Sequence, residues 1–311
     1  MKTYKSHELS SRAGYVYSWI SMIMVVAVCL FIIVNVWWQG HDMLSFRFLF
    51  TDPNASAMSA EAGGILSPLV GTVLLTLIGM LIAFPISLAT AIYLCFYARN
   101  GWAKSAIKMA IDVLSGVPTI VIALFGLSIF TMPWLSFLST PVETVGEVSR
   151  AYGKSFLVAG MTMAVMVLPF VIKSIEETLK SVPESYIEGS LAMGATKWRT
   201  ISKVVLQAAR QGVVTGVILG MGRIVGDTAI VWLTLGGTLR MTGIQPWYAP
   251  QNWLSTLQNT GSTLTSYIYY TSPAGEGNNF SVAFAASLVL IVIIIILNAA
   301  TSIIGNWGKA R

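Results

Sequence analysis

The chain has 311 residues, of which 55% are hydrophobic and only 10% are charged, and its mean hydropathy is +0.72. Soluble domains carry about a quarter charged residues, so this composition excludes an ordinary water-soluble fold and favours an all-α membrane protein. The net charge of +6 does not indicate nucleic-acid binding, because the basic residues lie in short segments between apolar runs.

Six apolar segments are long enough to cross a bilayer as helices, which takes about 20 residues each. We predict spans at 18–38, 66–98, 107–135, 155–175, 204–235 and 280–304. The first is longer than the apolar region of a signal peptide and no small-residue cleavage site follows it, so we interpret it as a retained anchor. Pro85 predicts a kink in the second span, and Ser115-Gly116-Val117-Pro118 predict a break in the third.

The distribution of lysine and arginine predicts the direction of these spans. With the N-terminus inside, fourteen of the 19 basic residues fall in cytoplasmic segments, four fall in outer loops, and Arg223 lies within the fifth span. Because cytoplasmic loops are enriched in Lys and Arg, we expect both chain termini in the cytoplasm. We divide the chain into 1–65, with the N-terminal tail, the first helix and an outer loop, and 66–311, one integrated membrane domain.

The outer loop at 236–279 is rich in aromatic residues: Trp247, Tyr248, Trp253, Tyr267, Tyr269 and Tyr270. One interpretation is an aromatic belt at the membrane interface, and the other is a surface that receives a soluble partner. Cys29 and Cys95 both lie in apolar runs, which is typical of small buried side chains and predicts neither a disulfide nor a metal site.

The loop between the fourth and fifth spans, 181–199, has the pattern of a folded segment. Ser181 and Glu184 have capping-box spacing, and Pro183 suits the first turn of a helix. Gly194 lies where a helix could end in the left-handed conformation. We therefore predict a short helix, a turn at Gly194 and a second helix that enters the fifth span.

This loop resembles a known motif. Glu188-Gly189-Ser190, three residues, Gly194, nine residues and Val204-Val205-Leu206-Gln207 are similar to the EAA loop of ABC importer permeases, whose pattern is EAA, three residues, Gly, nine residues and I-x-L-P. The spacing is intact, although Gly-Ser replaces Ala-Ala and Gln replaces Pro. In that family the loop is a coupling helix seated on the ATPase subunit, so the resemblance implies this role for Glu188, Gly189, Ser190 and Gly194.

Three further segments, 63–72, 112–121 and 222–229, resemble the phosphate-specific ABC permeases of the PstA type, which usually have Glu at the position of Asp227. The resemblance implies a type I ABC importer permease fold in the inner (plasma) membrane. It also implies three kinds of partner: a second permease of the PstC type, two copies of a PstB-type ATPase that bind ATP and Mg, and a PstS-type periplasmic phosphate-binding protein. No cofactor is expected on this chain.

The fifth span carries a stripe of small and polar residues. At about 100° per residue, one face collects Gly212, Gly216, Gly220, Arg223, Asp227 and Thr234. Arg223 and Asp227, four residues apart, are expected one turn apart on this face. One interpretation of the stripe is a helix contact with a structural ion pair. The other is the lining of an anion path, in which Arg223 lowers the barrier and Asp227 prevents tight binding. Both can hold, because in a two-subunit pore the pore-lining face also meets the partner.

The other function classes have less support in the sequence. Gly153-Lys154-Ser155 lacks the glycine that a phosphate-binding loop requires five residues earlier, so ATP hydrolysis is expected on a separate chain. A gradient-driven secondary transporter would show paired halves with interrupted helices, and a membrane enzyme would need clustered catalytic groups inside the spans. Among ABC permeases, the alternative to phosphate is another oxyanion or a small polar solute.

Overall fold

The computed structural model describes residues 2–54, 63–142, 150–275, 277 and 279–306. Its helices, in chain order, are α1 (Lys2–Gly40), α2 (Phe46–Phe50), α3 (Leu66–Ile92), α4 (Trp102–Gly116), α5 (Thr119–Phe130), α6 (Phe156–Lys180), α7 (Glu184–Ala192), α8 (Lys197–Thr200), α9 (Leu206–Ala208), α10 (Arg210–Gly226), α11 (Trp253–Gln258), α12 (Leu264–Thr271) and α13 (Phe280–Asn306). Short 3-10 turns cover His41–Met43, Pro133–Leu138 and Pro250–Asn252, and π-helical turns cover Tyr93–Tyr97, Ile201–Val205 and Val231–Leu235. Two antiparallel two-residue strands, β1 (Pro141–Val142) and β2 (Arg150–Ala151), pair in one outer loop.

Four helical stretches are long and apolar enough to cross a membrane: Gly14–Met43, Leu66–Tyr97, Phe156–Lys180 and Phe280–Ile303. Two bent helix pairs supply the others, so the predicted number of six is confirmed when each pair counts as one span. The second stretch continues through Pro85 to its π-helical end. The fourth begins where predicted, because the Ser155 side chain caps α6 by accepting from the backbone N–H of Val158.

The predicted third span is broken at the predicted place, but its halves do not form one straight crossing. The axes of α4 and α5 differ by 105°, with Val117 and Pro118 between them. Helix α5 runs along α6, where Gly126 lies directly against Thr162. Helix α4 instead crosses the end of α6 that leads into the 181–199 loop, where its Lys108 reaches Glu176.

The predicted fifth span, 204–235, is not one straight helix. Helices Lys197–Ala208 and Arg210–Gly226 meet at 71°. A second interruption follows at Asp227 and Thr228, after which helical structure resumes and ends at Gly236, whose φ is +100°. Neither interruption contains proline. The second has a different local signal, since Gly226 can end one helix and Asp227 can cap the next.

The bundle is organised around α6. Of its most apolar stretch 67% is buried, against 39% for α3 and α13 and 0% for α1. Helix α6 packs against α3, α5 and α10, and their apolar side chains form the larger core. A smaller core joins α13 to α12 and to Phe48 of α2. Helix α1 contacts α13 and otherwise exposes its apolar side chains, as expected of a helix surrounded by lipid.

Candidate functional site

The 181–199 loop folds as the predicted helix, turn and second helix. Helix α7 ends at Ala192, and Gly194 adopts φ +81°, the left-handed conformation that glycine accepts without a Cβ clash. The backbone N–H of Ala195 then bonds to the carbonyl of Ser190, which closes the turn. Thr196 caps α8 by accepting from the backbone N–H of Arg199.

The predicted capping box at the start of α7 is wrong. Ser181 belongs to the end of α6, where its hydroxyl donates to the carbonyl of Thr178 at 2.8 Å. Helix α7 starts at Glu184 directly after Pro183, which makes no side-chain cap. The chain turns here because proline cannot continue α6 and disfavours a helical residue before it.

The loop presents an open groove. Glu188 and Gly189 are exposed, whereas Ser190 is half-buried and shares a 2.9 Å hydrogen bond with Thr200. A cavity of about 720 Å³ is lined by Ser185, Tyr186, Gly189, Ser190, Met193, Gly194, Ala195, Arg199 and Val204. The structure thus brings Gly189, Ser190 and Gly194 together in one depression, with Glu188 beside them on α7.

Ion pairs tie the end of α6, just before this loop, to α4. The Glu176 carboxylate lies 2.6 Å from the Lys180 ammonium and 3.3 Å from that of Lys108, and its side chain is only 11% exposed. Nearby, Lys173 pairs with Asp112 at 2.8 Å, but Asp112 is 67% exposed. Sequence reasoning missed both contacts, because the sequence predicts a break at 115–118 but not the 105° angle that brings α4 across α6.

Glu176, which is buried, and Asp112, which is exposed, allow the effect of burial on the stability of an ion pair to be compared. Glu176→Gln is expected to lower the free energy of unfolding by roughly 1–3 kcal/mol, because it leaves two ammonium groups facing a neutral side chain. Asp112→Asn is expected to cost under about 1 kcal/mol, as exposed ion pairs do. Thermal unfolding of the detergent-purified chain measures both, and equal effects would show that burial of Glu176 does not strengthen its pairs.

The glycines of the predicted stripe on α10 form a helix contact inside this chain. A Cβ at Gly212 would overlap the Thr178 side chain, one at Gly216 would lie 3.1 Å from the Ser174 hydroxyl, and one at Gly220 would lie 2.8 Å from Val171. All three contacts are with α6. For these glycines the helix-contact interpretation is therefore the correct one.

A matched glycine pair tests this contact. Gly212→Ala is expected to destabilise the chain by about 1–3 kcal/mol, because the new methyl group overpacks the α6–α10 contact. Gly222→Ala on the same helix has nothing within 4 Å of its new Cβ and is expected to be neutral or to gain up to about 1 kcal/mol of helix propensity. Thermal unfolding again provides the measurement, and a stable Gly212→Ala variant would argue against close packing here.

Arg223 lies at mid-depth in the bundle. Its guanidinium carbon is 3.7 Å from the ring centroid of Phe170, and its Nε donates to the Met166 sulfur at 3.0 Å. Met166 and Phe170 flank the midpoint of α6, so the cation stands near the centre of the membrane. A cation over an aromatic face gains about 0.5–2 kcal/mol, which offsets part of the cost of its depth.

The expected contact ion pair between Arg223 and Asp227 does not form, although the Arg223 charge still acts electrostatically on the Asp227 carboxylate. Helix α10 ends at Gly226, so the two residues do not share a helical face, and among the ion pairs of the described residues none joins them. Asp227 instead caps the next helical turn, since its Oδ1 accepts from the backbone N–H of Ile230 at 2.8 Å. The Thr119 side chain, at the start of α5, lies beside the same carboxylate.

In the described part of the chain, the face of α10 on either side of Arg223 has no neighbouring side chains above its glycines. Added Cβ atoms at Gly222 and Gly226 would meet nothing within 4 Å, and Arg223 itself is exposed in the single chain. A bare helix backbone therefore flanks one cation on a face that the rest of the bundle does not cover. Among the described residues no cluster of His, Cys, Asp or Glu has the arrangement of a metal site.

The aromatic residues of the outer loop 236–279 are partly buried and partly exposed, so neither the aromatic-belt nor the partner-surface interpretation describes all of them. Tyr267 is buried at 4% exposure, and Trp247 packs against the larger core. Tyr248 and Trp253 are exposed and line an apolar cavity of about 300 Å³ with Val70 and Leu74 of α3. The loop is thus partly structural and partly available to lipid or a partner.

Apolar spans packed around a central helix, with a folded loop projecting at one end, place the chain in the class of multi-pass membrane proteins. The chain belongs to the family of binding-protein-dependent transport system inner membrane components, which it matches over residues 76–308. It is therefore an inner-membrane permease subunit of an ABC importer, the family predicted from the 181–199 loop. Membership removes the secondary-transporter and membrane-enzyme alternatives.

Curated relatives of this chain include phosphate permeases. It is 29% identical to a probable ABC transporter permease protein, YqgI, of Bacillus subtilis (91% of this chain, 89% of the relative). It is 30% identical to the phosphate transport system permease protein PstC of Xylella fastidiosa (75% of each chain). It is also 30% identical to PstA 1 of Mycobacterium tuberculosis (78% of this chain, 71% of the relative).

Solved structures agree on the fold. A permease in the MetNI methionine ABC transporter superposes with a TM-score of 0.57 at 19% identity, covering 78% of this chain and 94% of that one. A chain of a bacterial alginate ABC transporter, crystallised with a ligand-bound periplasmic protein, gives 0.59 at 15% identity, covering 91% and 92%. The fold is that of type I ABC importer permeases.

Proposed function

We propose that this permease carries inorganic phosphate across the inner membrane. The observation that carries the proposal is the position of Arg223, a cation at mid-depth on an uncovered, glycine-flanked face. A cation at this depth lowers the energy of a passing oxyanion, while its exposure keeps binding weak enough for release. Relatives named as phosphate permeases, of both the PstA and the PstC kind, support the same substrate.

Asp227 has a different role in this proposal from the one its spacing predicted. Its carboxylate accepts from the backbone N–H of Ile230 at the break in the fifth span and lies beside Thr119 at the break in the third. It therefore joins the two breaks. Asp227 thereby fixes the shape of the path beside Arg223, and its negative charge disfavours tight retention of an anion.

Three partners complete the importer. A second permease of the PstC type covers the exposed face of α10, and a periplasmic phosphate-binding protein delivers the ion to the outer mouth. Two copies of an ATPase, which bind ATP and Mg, dock on the 181–199 loop and its counterpart in the second permease. Glu188, Gly189 and Ser190 form the contact surface, and Gly194 sets the bend.

Both chain termini lie in the cytoplasm, and residues 66–311 form the transport domain; of these, 307–311 lie outside the described residues.

The second candidate is an ABC permease for another oxyanion or a small polar solute. It is favoured by the short Asp227, where the resembled family usually has Glu. The solved structures of the same fold belong to transporters named for methionine and alginate, so the fold itself does not select the substrate.

Uptake by whole cells distinguishes these candidates. In a strain from which the gene is deleted, the reintroduced chain is expected to restore uptake of radiolabelled phosphate, and excess unlabelled phosphate should compete. Sulfate and molybdate serve as matched competitors of the same charge class. Competition by either one at the potency of phosphate, or no restored uptake, would move the assignment to the second candidate.

A further inference from the structure

Helix α4 has one face that nothing in the described chain covers. Trp102, Ala106, Met109 and Val113 recur at spacings of four, three and four residues and therefore form one stripe. The three large side chains are 85%, 67% and 63% exposed, respectively. No residue of α4 is buried, although the helix is held firmly on its other side.

The other side of α4 fixes its position. The ion pairs Lys108–Glu176 and Lys173–Asp112 join it to α6, and Leu114 packs against the larger core. These contacts fall at 173–176, the inner boundary of the predicted span 155–175. Since α5 runs along α6 and α4 lies at 105° to α5, α4 lies close to the plane of the membrane surface.

The distribution of polar and apolar residues on α4 suits a helix that lies in the plane of the membrane surface. Its polar residues, among them Lys104, Ser105, Lys108 and Asp112, occupy one arc of the helix, and the remaining arc is apolar. A helix with this division lies in the interface, with its apolar side among acyl chains and its lysines at headgroup level.

Some exposed surfaces in the described part of this chain are made of small residues and others of large apolar residues, and the stripe on α4 is of the second, lipid-facing kind. Contacts between membrane helices favour small residues that allow close approach, as around Arg223 on α10. The stripe presents Trp, Met and Val instead, like the exposed sides of α1 and α13. We propose that Trp102, Ala106, Met109 and Val113 form a lipid-binding surface that inserts among the acyl chains of the leaflet on the side of the 181–199 loop.

Spin labels on single cysteines test the proposal in the complete transporter reconstituted in lipid vesicles. The background carries Cys29→Ala and Cys95→Ala, and labels are placed by Ala106→Cys, Met109→Cys and Val113→Cys, none of which removes a buried contact. Val25→Cys on α1 is the lipid-exposed reference, and Ser105→Cys is the control on the polar arc of α4.

Labels on the stripe are expected to collide more with oxygen, which concentrates in hydrocarbon, than with a water-soluble nickel complex, as at position 25. The ratio of oxygen to nickel collisions should fall at position 105. Immobilised stripe labels that neither reagent reaches would show that another protein chain covers this face. Stripe labels that the nickel complex reaches as readily as oxygen would place it in water. Either result overturns the proposal, and three independent stripe positions guard against one misfolded variant.

Discussion

Arg223→Ala is expected to reduce phosphate uptake at least about tenfold, the effect of about 1.4 kcal/mol added to the transport barrier. The physical reason is the loss of the cation that stands beside Phe170 at mid-depth. Stability should change little, because the Arg223 side chain is exposed. Radiolabelled uptake in the deletion strain gives the rate, and co-purification of the partner subunits checks assembly.

Arg223→Lys is the matched variant. Lysine keeps the charge but loses the planar stacking on Phe170 and the Nε contact with Met166, so partial uptake is expected. If the alanine variant showed wild-type uptake in a fully assembled complex, Arg223 would have no role in transport and would serve only to join α10 to α6.

Gly194→Ala is expected to separate ATP hydrolysis from phosphate uptake. At φ +81° a side chain costs about 1–2 kcal/mol, so the chain relieves the strain by opening the turn between α7 and α8. The groove that holds Ser190 then changes shape, while the spans are untouched. Uptake should fall, whereas the complex should still reach the membrane; the number of ATP molecules hydrolysed per phosphate imported is the quantity to measure.

Gly189→Ala, five residues earlier, is the control. It adds the same methyl group to a helical residue with nothing within 4 Å, and alanine is the residue that the EAA pattern has at this position. It is expected to transport normally. If Gly189→Ala and Gly194→Ala behaved alike, backbone conformation at Gly194 would not be what couples the two reactions.

Features encoded in short stretches of sequence were predictable. The apolar length of the spans follows from the thickness of the bilayer, and the Gly194 turn follows from the freedom of glycine. The break before Pro118 follows from the missing N–H of proline and its steric effect on the preceding residue. In each case a few adjacent residues carry the cause, so no knowledge of tertiary contacts is needed.

Features that depend on a distant partner were not predictable. Arg223 and Asp227 have the spacing of a helical pair, but the helix ends between them, where Asp227 bonds ahead to Ile230 and Thr119 approaches from another span. Phe170 and Met166 hold the arginine, yet neither carries any sign of this in its local sequence. The glycines of α10 could equally have lined a cavity or packed, and only the position of α6 decides between these outcomes.

The interruption at Asp227 and Thr228 determines how one subunit sits among its surroundings. Peptide groups freed from a helix within hydrocarbon are tolerated only against protein or water, so acyl chains are excluded from the flank that carries Gly226. Helix α1, whose apolar side chains are exposed, suits acyl chains instead. A subunit on its own therefore has one flank that lipid cannot cover, and we expect water and ions to leak along this flank until another protein chain covers it.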